Sequence, residues 1–232
     1  MIEVRRVLVV VAHPDDAEFG CGGSVAHWVG EGRLVFYCVI TNGNRGSDDP
    51  GMTPERLAAL REGEQRAAAR ALGVEDVLFL GYPDGELEDT REARRDVIRA
   101  IRRFRPDRVV TQNPFPSLNP YSGHRDHRHA GRLALDAVYP FARDRMHFPE
   151  LLAEGWQPHK VREVYLMGSD EPDTFVDITG TIDRKLAALR CHASQLKDFA
   201  AVEARVRERA ADLGKPQGYT YAEAFRAIHL PR

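Results

Sequence analysis

Residues 7–18 read VLVVVAHPDDAE. Val7 to Ala12 is an unbroken apolar run dominated by valine, the composition of a strand covered on both faces rather than one with a wet side. A histidine, a proline and two adjacent carboxylates follow at once. Neighbouring acids repel each other and Pro14 stiffens the turn that carries them. An ordinary surface turn gains nothing from this, so the arrangement asks for a positive charge to hold. Moving outward, GGSVAHWVGEGR is expected as a helix ended by glycine, and LVFYCVIT (34–41) as a second strand. NGNRGSDDPGMT (42–53) is a polar loop. TPERLAALREGEQRAAARALGV is expected as a helix capped by Thr53, opened by Pro54 and stopped by Gly73. DVLFL (76–80) and DRVVTQN (107–113) are further strands on either side of a helix over 90–104, and a helix is expected to run through 143. VREVYLM (161–167) and FVDIT (175–179) are expected strands, a long helix is expected from Thr181, and YAEAFRAI closes the chain.

Strands alternating with helices at this pace predict βαβ units, an α/β fold with a mostly parallel sheet flanked by helices. No linker, repeat or low-complexity segment divides the chain, so a single domain over 1–232 is expected. Ligands bind outside the carboxyl ends of such strands. The loops 13–20, 42–53, 81–89 and 113–127 each follow a strand and are expected to converge on one edge.

The 232 residues are 43% hydrophobic and 29% charged with a formal net charge of −2, which allows a large core. That balance offers no electrostatic case for nucleic acid or an anionic membrane. Cys21, Cys38 and Cys191 form no CxxC, which argues against a disulfide framework and for a reducing compartment. The apolar run after the basic start is too short for a signal peptide or a membrane span, so a cytoplasmic protein is expected.

His13 and Asp16 stand three apart at a strand-to-helix turn and can face the same side. GHRDHRHAG places His124, Asp126, His127 and His129 where another loop enters a helix. Two histidines and one carboxylate leave positions open on a divalent metal, as catalytic zinc requires. Asp15 then stays free beside the metal to take a proton from bound water. The plainer reading of either cluster is a capping turn, with Asp15 or Asp16 capping the next helix. Both clusters at the ends of parallel strands favour the metal. A dinucleotide fingerprint in EFGCGGS fails because Val25 stands where a third glycine is needed and no acid follows the second strand before Asn42. A non-heme iron oxygenase is a rival, since His13-x-Asp15 with a distant histidine imitates its ligand triad, but that site is familiar on jelly-roll scaffolds. A non-catalytic metal or sugar binder has no use for Asp15.

AHPDDAEFGCGG followed far downstream by HRDH resembles the LmbE/PIG-L family of zinc-dependent N-deacetylases. LREGEQRAAARALGV, YPDGEL, DVIRAIRRFRPDRVVTQNP, VDIT, RKLAALRCHASQ and YAEAFR extend the resemblance over nearly the whole chain, toward the diacetylchitobiose and N-acetylglucosamine deacetylase branch. The resemblance implies a Rossmann-like domain, zinc bound by His13, Asp16 and His127, and Asp15 as general base. It assigns His124, protonated or held by Asp126, to the tetrahedral oxyanion or the leaving amine. It matches Arg61, Asp84 and His192 to the lining of a sugar pocket, with Tyr121 as a further donor to the oxyanion. The plainer readings are an ion pair of Arg61 with Glu64, a turn role for Asp84, a satisfied helix histidine at 192 and packing for Tyr121. Two positions depart from the family pattern. Arg125 replaces a proline, a change expected to loosen the loop, and His129 is an extra imidazole that competes with His127 as ligand. The implied activity is removal of the N-acetyl group from an amino sugar of the N-acetylglucosamine or chitobiose type, releasing acetate, in a homo-oligomer (trimer or hexamer). A thiol-pathway glycoside and an antibiotic precursor are the alternative substrates.

Overall fold

The computed structural model describes residues 3–115 and 123–231. Along the chain run β1 (Arg6–Val11), α1 (Asp16–Gly30), β2 (Leu34–Thr41), α2 (Pro54–Leu72), β3 (Asp76–Tyr82), α3 (Arg91–Phe104) and β4 (Arg108–Gln112). There follow α4 (Arg125–Asp136), α5 (Pro149–Ala153), β5 (Glu163–Met167), β6 (Thr174–Asp177), α6 (Ile182–Leu189), α7 (Phe199–Gly214) and β7 (Ala222–His229). The seven strands form one sheet in the order β3-β2-β1-β4-β5-β7-β6. The strands from β3 to β5 are parallel, and β7 runs antiparallel between β5 and β6.

β1 lies inside the sheet, and its valine run is what that position demands. Val7, Val9 and Val11 pack on one face with Trp28, Tyr37 and Phe225. Leu8 and Val10 pack on the other with Phe36, Ile98, Ile101 and Leu133. Successive side chains alternate between two dry layers, and each such burial stabilises the fold by about 1.5–3 kcal/mol. The chain moves outward from β1 to β2 and β3, then crosses back to place β4 on the other side of β1. The carboxyl ends of β1 and β4 therefore flank the topological switch point, where open α/β sheets leave a crevice. Residues 13–16 and the first turn of α4 meet there.

Several elements differ from expectation. The helix expected from the Gly22-Gly23 pair starts at Asp16 and is broken at Cys21, whose φ of −149° and ψ of 17° are not helical. Glu223 of β7 accounts for the break: its carboxylate accepts from Gly23 N at 3.0 Å and Ser24 N at 2.7 Å, capping the second segment. Lys185 of α6 donates to the same carboxylate at 2.6 Å and to Phe19 O at 2.7 Å. The N–H groups that a dinucleotide loop turns to phosphate are thus taken by the protein's own carboxylate. The long helix expected from Thr181 is two helices. Between them Ser194 donates through N and Oγ to Glu64, and Asp198 restarts the helix by accepting from Ala201 N at 3.1 Å. The helix expected through 143 ends at Asp136 in a π-type turn over Ala137–Phe141 that contains Pro140. In α2 the caps are as expected: Thr53 accepts from Arg56 N, and Gly73 closes the helix at a φ of 80°. Among the described residues no helix is long and apolar enough to cross a membrane.

Candidate active site

The turn after β1 and the first turn of α4 put three donor groups around one point. His13 Nδ1 lies 3.3 Å from Asp16 Oδ2 and 3.2 Å from His127 Nε2, and His127 Nε2 lies 3.1 Å from Asp16 Oδ1. A tetrahedral zinc site with ligand bonds of about 2.0–2.1 Å has edges of about 3.3–3.4 Å, so two imidazoles and a carboxylate at these spacings fit such an ion. His124 joins His13 and His127 in a wider cluster, its ring centroid 4.8 Å from that of His13 and 5.0 Å from that of His127. Among the described residues His13 also groups with Asp84 and Asp126 on its other side; neither Asp16 nor His129 belongs to these two wider groups, but Asp16 reaches both His13 and His127 directly.

The far side of His13 is as informative. Its Nε2 lies 3.0 Å from Asp84 Oδ1 and 3.3 Å from Asp126 Oδ2, and Asp126 Oδ2 also accepts from Gly85 N at 2.7 Å. Carboxylates behind Nε2 hold the proton there and leave the Nδ1 lone pair for a cation. Burial alone depresses the His13 pKa, but Asp126, Asp16 and Asp84 outweigh it and push the group up to about 12. The cage is built to hold positive charge. Burial likewise opposes ionisation of Asp16, and His127 and His13 hold it well below the usual carboxylate range. Gln112, at the end of β4, ties the two strands together by donating to Asp16 Oδ2 at 2.8 Å and accepting from Ala12 N at 3.2 Å.

Asp15 stands outside this donor set. It occupies the N-cap position of α1, yet its side chain makes no capping bond and its φ is 94°. A non-glycine residue in that region costs about 1–3 kcal/mol, which α2 offsets. Gln65 Oε1 accepts from Asp15 N at 2.8 Å, and Arg61 Nη2 donates to Pro14 O at 2.7 Å and to Asp15 Oδ2 at 3.2 Å. Burial and the neighbouring Asp16 raise the Asp15 carboxyl to about 7, against the pull of Arg61, His192 and His13. A carboxylate poised there can take a proton and return it.

His124 is the N-cap of α4 and its Nδ1 accepts from Asp126 N at 3.2 Å. An accepting Nδ1 leaves the ring proton on Nε2. Burial, with repulsion from His13 and His127, lowers its pKa. The ring is therefore a neutral Nε2–H donor. Asp126 gives His124 its backbone N–H, while its carboxylate serves His13.

The remaining expected residues sit as follows. Arg61 is 4% exposed and turns away from Glu64, its fork spent on Asp15, Pro14 O and Gly43 O, the last at 3.0 Å. Asp84 faces the back of His13. His192 is fully buried with Nε2 3.2 Å from Glu18 Oε2; burial opposes its charged form and Glu18 raises its pKa. Tyr121 lies outside the described residues. Arg125, expected to loosen its loop, binds Leu87 O at 2.6 Å and Glu88 at 3.1 Å, fastening α4 to the loop after β3. Gln65, Gln112 and Glu18 were not expected at the site. Gln65 accepts from Asp15 and donates to Glu18 Oε1 at 2.9 Å. The fourfold spacing Leu57-Arg61-Gln65 was its available signal, since such residues share a helix face.

A family model described as GlcNAc-PI de-N-acetylase, PIG-L, matches residues 8–138. The diacetylchitobiose deacetylase of Thermococcus kodakarensis is 35% identical over 228 residues, 97% of this chain and 84% of that protein. A probable N-acetyl-α-D-glucosaminyl L-malate deacetylase of Bacillus anthracis is 28% identical over 196 residues, 82% of this chain and 81% of that one. Among solved structures, N,N′-diacetylchitobiose deacetylase from Pyrococcus horikoshii superposes with a TM-score of 0.91 at 33% identity, covering 98% of this chain and 85% of that one. The family match spans the turn after β1 and the start of α4 that build the cation cage, and the chain belongs to the PIG-L family of hydrolytic N-deacetylases.

Proposed function

We propose that this protein is a zinc-dependent hydrolase that removes the N-acetyl group from an N-acetylglucosamine-type sugar, with diacetylchitobiose as its leading substrate. The carrying observation is Asp15, a carboxylate held at strained backbone beside the His13, Asp16 and His127 cage and outside its donor set. His13, Asp16 and His127 would hold a divalent ion of the zinc type, which would supply Lewis acidity to water and to the amide carbonyl.

Asp15 accepts the proton of the attacking water as the carbon–oxygen bond forms. The Nε2–H of His124 donates to the carbonyl oxygen as it becomes an oxyanion, the moment at which a preset donor helps most. The proton on Asp15 then passes to the sugar nitrogen, the carbon–nitrogen bond breaks, and acetate and the free amine leave. Arg61 holds Asp15 in place throughout. Because the fork of Arg61 is spent on protein oxygens and Asp84 faces His13, this geometry supports a role for both behind the reacting centre in place of a clamp on the ring. The test is acetate release from N-acetylglucosamine, diacetylchitobiose and a ring-less acetamide by metal-loaded protein. Release from the sugars is expected; failure on every N-acetylated amino sugar overturns the reading.

A further inference from the structure

Three side chains without exposed surface, His192, Glu18 and Gln65, lead from the end of α6 to the backbone of Asp15. His192 Nε2 lies 3.2 Å from Glu18 Oε2, Gln65 Nε2 donates to Glu18 Oε1 at 2.9 Å, and Gln65 Oε1 accepts from Asp15 N at 2.8 Å. The direction of every bond follows from the last one. A backbone N–H can only donate, so the Gln65 atom that faces it is the carbonyl oxygen. The other is the NH2, which needs an acceptor. One oxygen of Glu18 supplies it, and the other faces His192. The Nδ1 of His192 has no hydrogen-bond partner among the described residues, so a neutral ring keeps its proton on Nε2 and gives it to Glu18. His192 itself is pinned to α2: two residues on, Ser194 donates through N and Oγ to Glu64, each at 2.7 Å, and Glu64 adjoins Gln65.

Resting on the deacetylase reading above, we propose that His192 is a positioning residue for the general base, acting through Glu18 and Gln65 on the backbone of Asp15 without touching substrate. Asp15 stands at a φ of 94°, a conformation that persists only where its surroundings over-determine it. Arg61 grips its carboxylate and the carbonyl before it, and Gln65 takes its N–H. A glutamine amide can turn over and present its NH2 where its oxygen was. Glu18 prevents this by accepting from the NH2, and His192 holds Glu18 in place as an acceptor for it. Without His192, Glu18 is a buried carboxylate short of a donor, free to swing away from Gln65. The amide can then turn, and the strained turn that aims Asp15 loses one of its two holds. Complete burial gives His192 this use and withholds it from a sugar.

The test reads variants of the metal-loaded protein by kcat and KM on N-acetylated sugars, by metal content and by amide hydrogen exchange. His192→Leu is expected to lower kcat about 10–100-fold, the order of loss that a small misplacement brings, with KM and metal content kept. His192→Gln sets an amide NH2 near the place of Nε2 and is expected to recover most of kcat. His192→Asn, one bond too short to reach Glu18, is expected to recover little, and it replaces His192→Leu if that variant does not fold. Equal losses in His192→Gln and His192→Asn mean that the imidazole itself takes part in the chemistry, which overturns the proposal. Metal lost in step with kcat overturns it as well. Adding His192→Leu to Gln65→Leu is expected to cost nothing further, because groups acting in series are not additive; losses that multiply overturn a path through Gln65. In His192→Leu, exchange at the Asp15 amide is expected to quicken about tenfold or more relative to the amides of β1. Unchanged relative exchange overturns the proposal. That readout needs no substrate, so if no sugar is deacetylated the functional reading falls while the positioning is still decided.

Discussion

Asp15 and Asp16 are adjacent in sequence and opposite in circumstance. Asp16 is ringed by His13, His127 and Gln112, whereas Asp15 meets one guanidinium, and burial with the neighbouring Asp16 pushes it toward neutrality against the pull of Arg61, His192 and His13. Asp15→Asn is therefore expected to lower kcat about 10²–10⁴-fold, the usual share of a general base, with metal content by elemental analysis intact. Metal lost in step with activity makes Asp15 a ligand instead. His127→Ala is expected to lose most of its metal and His129→Ala to keep it, because only His127 reaches Asp16 and His13. Asp84→Asn tests the support behind His13. Partners of that kind are worth about 10–100-fold in metal affinity, readable by competition with a chelator. Unchanged affinity with a raised KM returns Asp84 to the sugar.

At the scale of elements, two helices deliver the site, and each is held by a close fit to the sheet. α2 presents Arg61 and Gln65 to the turn after β1. α4 sits so near β4 that a Cβ on Gly131 would collide with Gln112 O. Gly131→Ala must push α4 off the sheet, costing about 1–3 kcal/mol for overpacking, and it moves His127 with the helix. A lower denaturant midpoint together with weaker metal binding is expected. A loss of stability alone means that α4 can shift without disturbing the cage. The break in α1 is set from β7 by Glu223, whose partner Lys185 is as buried as it is. Glu223→Gln leaves Lys185 an unpaired buried charge, at a cost of about 3–5 kcal/mol. The double change with Lys185→Met is expected to recover part of that in urea unfolding.

For the whole molecule, the cage joins parts of the chain that are distant in sequence, His13 and Asp16 on one side of the switch point and His127 on the other. An ion bound there stabilises the folded state alone, by about 2.7 kcal/mol at a hundred times its Kd. A domain of this size shifts its Tm by about 2–4 °C per kcal/mol. Chelation is thus expected to lower Tm by about 5–10 °C, and calorimetry of His127→Ala should show that sensitivity gone. Equal Tm values with and without chelator speak against an ion linking the two halves of the crevice.

The valine run of β1, the alternation of strands with helices and the caps at Thr53 and Gly73 are written in local sequence, because burial pattern and capping are short-range properties. The parallel sheet and the edge where the polar loops gather followed from them. So did the choice of His13, Asp16 and His124–His127 as chemistry-bearing clusters, since few turns put such groups at strand ends. The partner of each group was decided only by tertiary structure. That Asp84 and Asp126 back His13, that Arg61 and Gln65 hold Asp15, and that Glu223 breaks α1 all depend on contacts across the chain. Local sequence carries no record of those distances. The same holds for the interrupted helix after Thr181, where a bond from Ser194 to Glu64 outweighs the local preference for helix. Periodicity reports which face is buried; which polar group waits on that face is settled by the packing of elements that the sequence keeps far apart.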